Sequence, residues 1–136
     1  MKVTFIEHSG FCVELDRTVL LFDYYKGAFP EIPKDKELYV FASHSHPDHF
    51  CSRIFDLEEK YPNVRYILSD DIPAKASQNI TKIREHEDQT VGSVRIETLK
   101  SNDEGVAFLV TAEGRTIYHA GGFKLVVLER GAGGGQ

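Results

Sequence analysis

The stretch Leu38-Tyr39-Val40-Phe41-Ala42-Ser43-His44-Ser45-His46-Pro47-Asp48-His49 constrains this chain more than any other. It opens with a continuous apolar run, β-rich at its centre and short, the mark of a strand buried on both faces. Three of the protein's 6 histidines and an aspartate follow at once, where the strand gives way to a loop. Extended backbone sends side chains i and i+2 to the same side, so His44 and His46 converge on one point. Pro47 holds His46 out of helical geometry and keeps that pair extended. Asp48 and His49 come as the chain turns and offer an oxygen and a nitrogen from a second direction. Ser52 is placed to cap a helix beyond them. Imidazole with carboxylate suits zinc, or manganese and iron, better than calcium or magnesium. The bland alternative is a solvated, histidine-rich loop, but so many ligand-type residues behind one buried strand argue against it.

At 136 residues the chain is one domain, large enough to bury a core. Its net charge of −5 disfavours nucleic acid or an anionic membrane as partner, since both reward a basic face. A small-molecule substrate is the expected partner. No apolar run approaches membrane-spanning length, and Met1-Lys2-Val3-Thr4 opens a strand rather than a signal peptide. The only cysteines, Cys12 and Cys51, are far apart and have no C-x-x-C partner. Reduced thiols and a cytoplasmic location are expected. Cys51 reads as a core cysteine at a helix entry rather than a soft metal ligand.

The rest of the chain is rich in strands. Val3 to Ile6, Phe11 to Leu15 and Val19 to Phe22 form an antiparallel meander, with a tight hairpin at Asp16-Arg17-Thr18. Residues 24–37, with Pro30 and Pro33, form a surface loop. Arg53 to Lys60 is a short helix whose inner face is Ile54, Phe55, Leu57 and Tyr61. Val64 to Leu68 is the next strand, so a strand-helix-strand crossover is expected. Asp70-Asp71-Ile72-Pro73 has the composition of a helix start. Val94 to Thr98 alternates as a half-buried strand, and Gly105 to Thr111 pairs with Thr116 to His119 through a turn at Ala112-Glu113-Gly114-Arg115. The sum predicts an α/β layered fold: a mixed β-sheet with flanking helices.

These pieces in this order resemble the metallo-β-lactamase fold family, in particular its small bacterial metal-dependent hydrolases. The resemblance rests on His8-Ser9-Gly10-Phe11, Leu21-Phe22-Asp23-Tyr24, the H-x-H-x-D-H motif from His44 to His49, and Ile117-Tyr118-His119-Ala120-Gly121. It implies that His44 and His46 hold one metal ion while Asp48 and His49 hold a second. It also implies that Asp48 orients a metal-activated water, which attacks an ester, amide or phosphodiester bond. His119 becomes a structural neighbour of that site, and Asp23 either hydrogen-bonds a ligand histidine or caps a turn. His8 is a candidate for a supporting role. Tyr24, Tyr25 and Lys26 read as loop packing rather than cleft lining, and His86 as part of a solvated face.

The sequence also departs from the pattern. A third histidine is expected after Leu99, where Lys100-Ser101-Asn102-Asp103 stands; Asp103 could substitute as an oxygen ligand. The bridging aspartate is expected after Gly121, where Gly122 stands. The resemblance implies a domain over residues 1–121, about the first αβ layer of the family's sandwich, followed by an atypical glycine-rich tail over 122–136. A one-base frame shift is one reading of that tail, because codons able to encode Lys124 to Arg130 can then give Asn-Trp-Trp-x-Trp-Lys-Glu, as in such hydrolases. An ordinary last strand from Leu125 to Leu128 is the other. Two functions follow: a metal-dependent hydrolase, or a truncated, non-catalytic half-fold that self-associates as a homo-oligomer to cover an apolar sheet face.

Overall fold

The computed structural model describes residues 1–6, 10–24, 29–44, 51–100, 106–120 and 125–129. Eleven strands among them form two sheets. Strands β1 (Lys2–Ile6), β2 (Gly10–Glu14) and β3 (Thr18–Phe22) are the antiparallel meander. Strands β4 (Glu37–Ala42), β5 (Arg65–Ser69) and β6 (Ile80–Ile83) then add in parallel, so the first sheet is mixed and runs in sequence order. The second sheet is wholly antiparallel and contains β7 (Asp88–Val91), β8 (Val94–Lys100), β9 (Val106–Ala112), β10 (Arg115–His119) and β11 (Leu125–Glu129).

The central strands β3, β4 and β5 of the first sheet are buried on both faces, as their unbroken hydrophobic runs require. Leu20, Phe22, Tyr39, Phe41 and Ile67 point toward the second sheet and meet Val94, Ile96, Phe108, Val110 and Ile117. Phe22 stacks on Phe41 with ring centroids 4.7 Å apart, and Phe108 meets Phe41 edge-on at 5.2 Å. The alternate residues Val19, Leu21, Leu38, Val40, Tyr66 and Leu68 form a second core on the opposite face, beneath Ile54, Leu57, Tyr61 and Ile72. Cys12 belongs to this core; burial, with Glu14 adding to it, pushes its thiol up to about 11. Both described cysteines are free thiols, and Cys51 packs against the same core just ahead of the helical segment.

Three expectations are corrected. The expected mixed sheet is present, but a second, antiparallel sheet packs on it, and among the described residues one short helical segment stands in place of the flanking helices. Period-two alternation identifies a strand with an apolar face but does not say which sheet it joins. That helical segment is a 3₁₀ turn over Ser52–Asp56 leading into α1 (Leu57–Lys60), and it has no side-chain cap, so Ser52 does not serve as one. Its pitch follows from what it buries: with 3.0 residues per turn, Ile54 and Leu57 fall on the same side. Asp70 to Pro73 starts no helix. Asp70 N–H bonds the Ile83 carbonyl at 2.9 Å, and the Lys82 ammonium takes the carbonyls of Ile72 and Ala74, the latter at 2.8 Å. The local backbone bonds are those of a turn: Ile72 N–H bonds the Ser69 carbonyl at 3.1 Å and Ala74 N–H the Ile72 carbonyl at 2.8 Å.

Residues 125–129 form a strand, as the ordinary-strand reading of that stretch expects. The turn at Glu113 and Gly114, with φ of 51° and 77°, is the two-residue hairpin turn that requires positive φ at both positions. No helix among the described residues is long and apolar enough to cross a membrane.

Candidate metal centre

Strands β3, β4 and β5 run parallel, so their C-terminal ends emerge at one end of the sandwich. There the chain leaves β3 through Asp23 and β4 through Ser43 and His44, all three fully buried. Asp23 adopts a φ of 48°, a left-handed conformation that aspartate tolerates better than most residues. Its N–H bonds the Phe41 carbonyl at 2.8 Å, which fixes the turn and aims the carboxylate across at the end of β4.

That carboxylate holds Ser43 with both oxygens. Oδ1 accepts the Ser43 N–H at 2.7 Å, and Oδ2 accepts the Ser43 hydroxyl at 2.6 Å. Ser43 Oγ also lies 3.1 Å from His44 Nδ1. The donors can be counted. The hydroxyl proton is committed to Asp23, so toward the imidazole Oγ can only accept. His44 therefore carries its proton on Nδ1, and Nε2 is the lone-pair nitrogen. An anion thus reaches a histidine through one hydroxyl and fixes the tautomer that a metal-binding imidazole needs.

The same end receives the second sheet. Val106 N–H bonds the Ser43 carbonyl at 2.9 Å, drawing the start of β9 to the histidine loop. His119, at the end of β10, is buried, stacked on Phe22 at 5.0 Å and edge-on to Phe11 at 5.8 Å. Its Nδ1 is 3.9 Å from Asp23 Oδ2, too long for a hydrogen bond but close enough to feel the charge.

Of the proposed ligands, His44 is placed at the end of β4. His46, Asp48 and His49 lie outside the described residues, as do His8, Asp103, Gly122, Tyr25 and Lys26. Among the described residues no three His, Cys, Asp or Glu side chains converge as a metal site. What is described fits such a site: a buried imidazole whose tautomer leaves Nε2 able to ligate. Asp23 was expected either to bond a ligand histidine or to cap a turn; it closes the turn and reaches the histidine through Ser43. Ser43 itself is the residue that sequence reasoning missed. Its one signal is a hydroxyl between Ala42 and His44 at the end of an apolar run.

Tyr24 is buried in the outer core and stacks on Phe29 at 4.2 Å, so it packs rather than lining a cleft. Burial raises its hydroxyl pKa, with Arg53 opposing and Cys51 adding to the shift. His86 is an exposed turn residue with φ of 60°.

The family described as beta-lactamase superfamily domain matches residues 2–129. No curated protein sequence matches the chain. Among solved structures, a metallo hydrolase from the hyperthermophilic archaeon Ignicoccus hospitalis is similar, with a TM-score of 0.63 and 17% identity. The match covers 88% of this chain and 59% of that one. A diiron β-hydroxylase from Streptomyces venezuelae has a TM-score of 0.56 at 14% identity, over 88% of this chain and 29% of that one. A metallo-β-lactamase from Staphylococcus aureus has a TM-score of 0.53 at 17% identity, over 83% and 38%. The chain thus spans less than two thirds of the length of each of these relatives. With nearly its whole length inside one family and its sandwich shared with these proteins, the chain belongs to the beta-lactamase superfamily, with a metallo-β-lactamase fold.

Proposed function

We propose that this chain is a metal-dependent hydrolase, with His44, His46, Asp48 and His49 as its metal ligands. The observation that supports the reading is the Asp23–Ser43–His44 relay, which puts the proton on Nδ1 and the lone pair on Nε2 of a buried histidine. A bound divalent ion would supply Lewis acidity and a hydroxide source near neutral pH. The chain's own part is to hold that ion's surroundings rigid. Asp23 sets Ser43, Ser43 sets His44, and Asp48 is assigned to orient the attacking water toward an ester, amide or phosphodiester carbon or phosphorus. Zinc is the first expectation, with manganese and iron as alternatives, because imidazole and carboxylate serve all three. The fold alone does not choose the reaction, since it also carries a hydroxylase among its relatives.

The test is elemental analysis of the full chain purified without chelator, beside His44→Ala and His46→Ala. About one or two ions per chain, lost in both variants, supports the reading, and ester and phosphodiester hydrolysis by the loaded protein then completes it. A folded, metal-free chain, or metal content indifferent to both substitutions, contradicts it.

A second reading, a non-catalytic chain that self-associates, draws on the outer face of the second sheet, where Leu99, Val126 and Leu128 are 42%, 44% and 53% exposed. Mass in solution checks it: a homo-oligomer is expected, and a monomer at micromolar concentration contradicts it.

A further inference from the structure

His119 reaches the relay from the second sheet. It ends β10, in register with Phe108 on β9 and Leu125 on β11. Its ring is fully buried, stacked on Phe22 at 5.0 Å with 20° between the planes, and edge-on to Phe11 at 5.8 Å. Phe22 immediately precedes Asp23, so the ring that seats His119 also sets it beside the carboxylate. Its Nδ1 lies 3.9 Å from Asp23 Oδ2, the oxygen that takes the Ser43 hydroxyl.

The second sheet thus touches the relay twice: Val106 N–H holds the Ser43 carbonyl at 2.9 Å, and His119 faces Asp23. The two contacts differ in kind. The first is a backbone hydrogen bond; the second is electrostatic, because 3.9 Å exceeds a hydrogen bond. Both His119 and Asp23 are fully buried, so solvent and salt screen their interaction little. A ring nitrogen beside a carboxylate oxygen is attracted if it carries a proton and repelled if it carries a lone pair, which puts the His119 proton on Nδ1. That N–H edge opposes rotation of the carboxylate away from Ser43. Such a rotation would free the Ser43 hydroxyl to donate to His44 Nδ1 and so reverse the tautomer.

We propose that His119 is a positioning residue of this site: with its proton on Nδ1 it holds Asp23 in place, and through Asp23 and Ser43 it fixes the ring of His44. This rests on the metal reading above for the use of the arrangement, but the tautomer of His44 itself does not need a metal. Stacking on Phe22 and Phe11 would be met equally by phenylalanine at position 119. The nitrogen facing Oδ2 is what phenylalanine lacks.

The experiment follows the histidine rings of the metal-free full chain by long-range ¹H–¹⁵N NMR and then titrates zinc, in the unsubstituted protein, His119→Phe and His119→Gln. In the unsubstituted protein His119 is expected to carry a proton on Nδ1, and His44 to be the Nδ1–H form. In His119→Phe, which keeps the stack, the Nε2–H form of His44 appears beside it and the zinc dissociation constant rises about tenfold. His119→Gln returns an N–H donor and recovers most of both losses. In an Asp23→Asn background His119→Phe changes neither readout further, because the residue acts through Asp23. A His119 ring with its lone pair on Nδ1 overturns the proposal, and that measurement needs no variant to fold. A His44 ring unchanged in His119→Phe overturns it too, as does an equal loss in His119→Gln, which would reduce the role to ring packing. A chain that takes up no zinc, but whose His44 tautomer depends on His119, would remove the hydrolase reading and leave the positioning role standing. Zinc uptake with a His44 ring indifferent to His119 would do the reverse.

Discussion

The two ends of the sandwich are built from the same parts and do different things with them. At the end where β4 begins, Tyr39 donates its hydroxyl proton to Glu37 at 2.7 Å and accepts from Ser93 N–H and Arg65 Nη1, both at 3.0 Å. The Ser93 hydroxyl donates to the same Glu37 oxygen. Nearby, Glu113 in the β9–β10 turn accepts the N–H groups of Asp16 and Arg17 in the β2–β3 turn, at 3.1 and 2.9 Å. Each polar group there satisfies another, and the product is a clamp between sheets. At the end where β4 finishes, one carboxylate and one hydroxyl again join two strands, but the relay ends on Nδ1 of a buried imidazole and leaves the lone pair on Nε2. A polar network that closes on itself stabilises; one that delivers a lone pair to a buried point equips the fold for chemistry.

Substitutions separate the two ends, and the largest effect belongs to Asp23. Asp23→Ala leaves a buried N–H and hydroxyl of Ser43 without their acceptor and puts alanine at positive φ, so a loss of about 3 kcal/mol is expected. Metal affinity should fall with it by about 10- to 100-fold, the usual cost of removing a partner behind a ligand. Denaturant unfolding and zinc titration read the two losses separately. Ser43→Ala sharpens the contrast: about 1 kcal/mol of stability, but about tenfold in zinc affinity, because the tautomer of His44 is released. At the other end Tyr39→Phe should cost about 1–2 kcal/mol in denaturant unfolding and leave zinc affinity unchanged. A change in zinc affinity there would break the comparison.

The smallest effect is a pH dependence. Burial pushes the Glu113 carboxyl up, but the Thr18 hydroxyl, the Arg17 and Asp16 N–H groups and the Arg17 charge outweigh it and hold the pKa below 4.5, the ordinary glutamate value. A lowered folded pKa means that its contribution is complete above the unfolded value and is lost as pH falls through the folded one. Glu113→Gln should therefore remove about 0.5 kcal/mol at neutral pH, discounted for partial exposure, and flatten the acid limb of the stability curve. Unfolding midpoints measured from neutral pH down through the carboxylate range check this.

Much of this fold is legible in the sequence because its central strands are apolar on both faces. The runs at Val19 to Phe22 and Leu38 to Ala42 can hardly be anything but buried strands. Edge strands were harder to see: Ile80–Ile83 is only partly buried along most of its length, and Asp88–Val91 carries exposed polar residues, so neither shows a hydrophobic stripe. The two-sheet split was invisible because alternation is the same whichever sheet a strand joins. In the site, His44 announced itself by its residue type and neighbours. Ser43 did not, because a serine after a strand usually reads as a turn. Its role comes from Asp23, 20 residues earlier in sequence, meeting it with both carboxylate oxygens. The expected helix at Asp70 had the right capping composition, but the chain turns there instead, tied to β6 through the Ile83 carbonyl and the Lys82 ammonium.

The central claim is that Asp23 and Ser43 fix His44 for ligation through Nε2, and long-range ¹H–¹⁵N NMR of the His44 ring tests it most directly. In the metal-free chain the ring should be the Nδ1–H tautomer, and adding zinc should move Nε2 while Nδ1 keeps its proton. A ring protonated on Nε2, or zinc bound through Nδ1, would contradict the account.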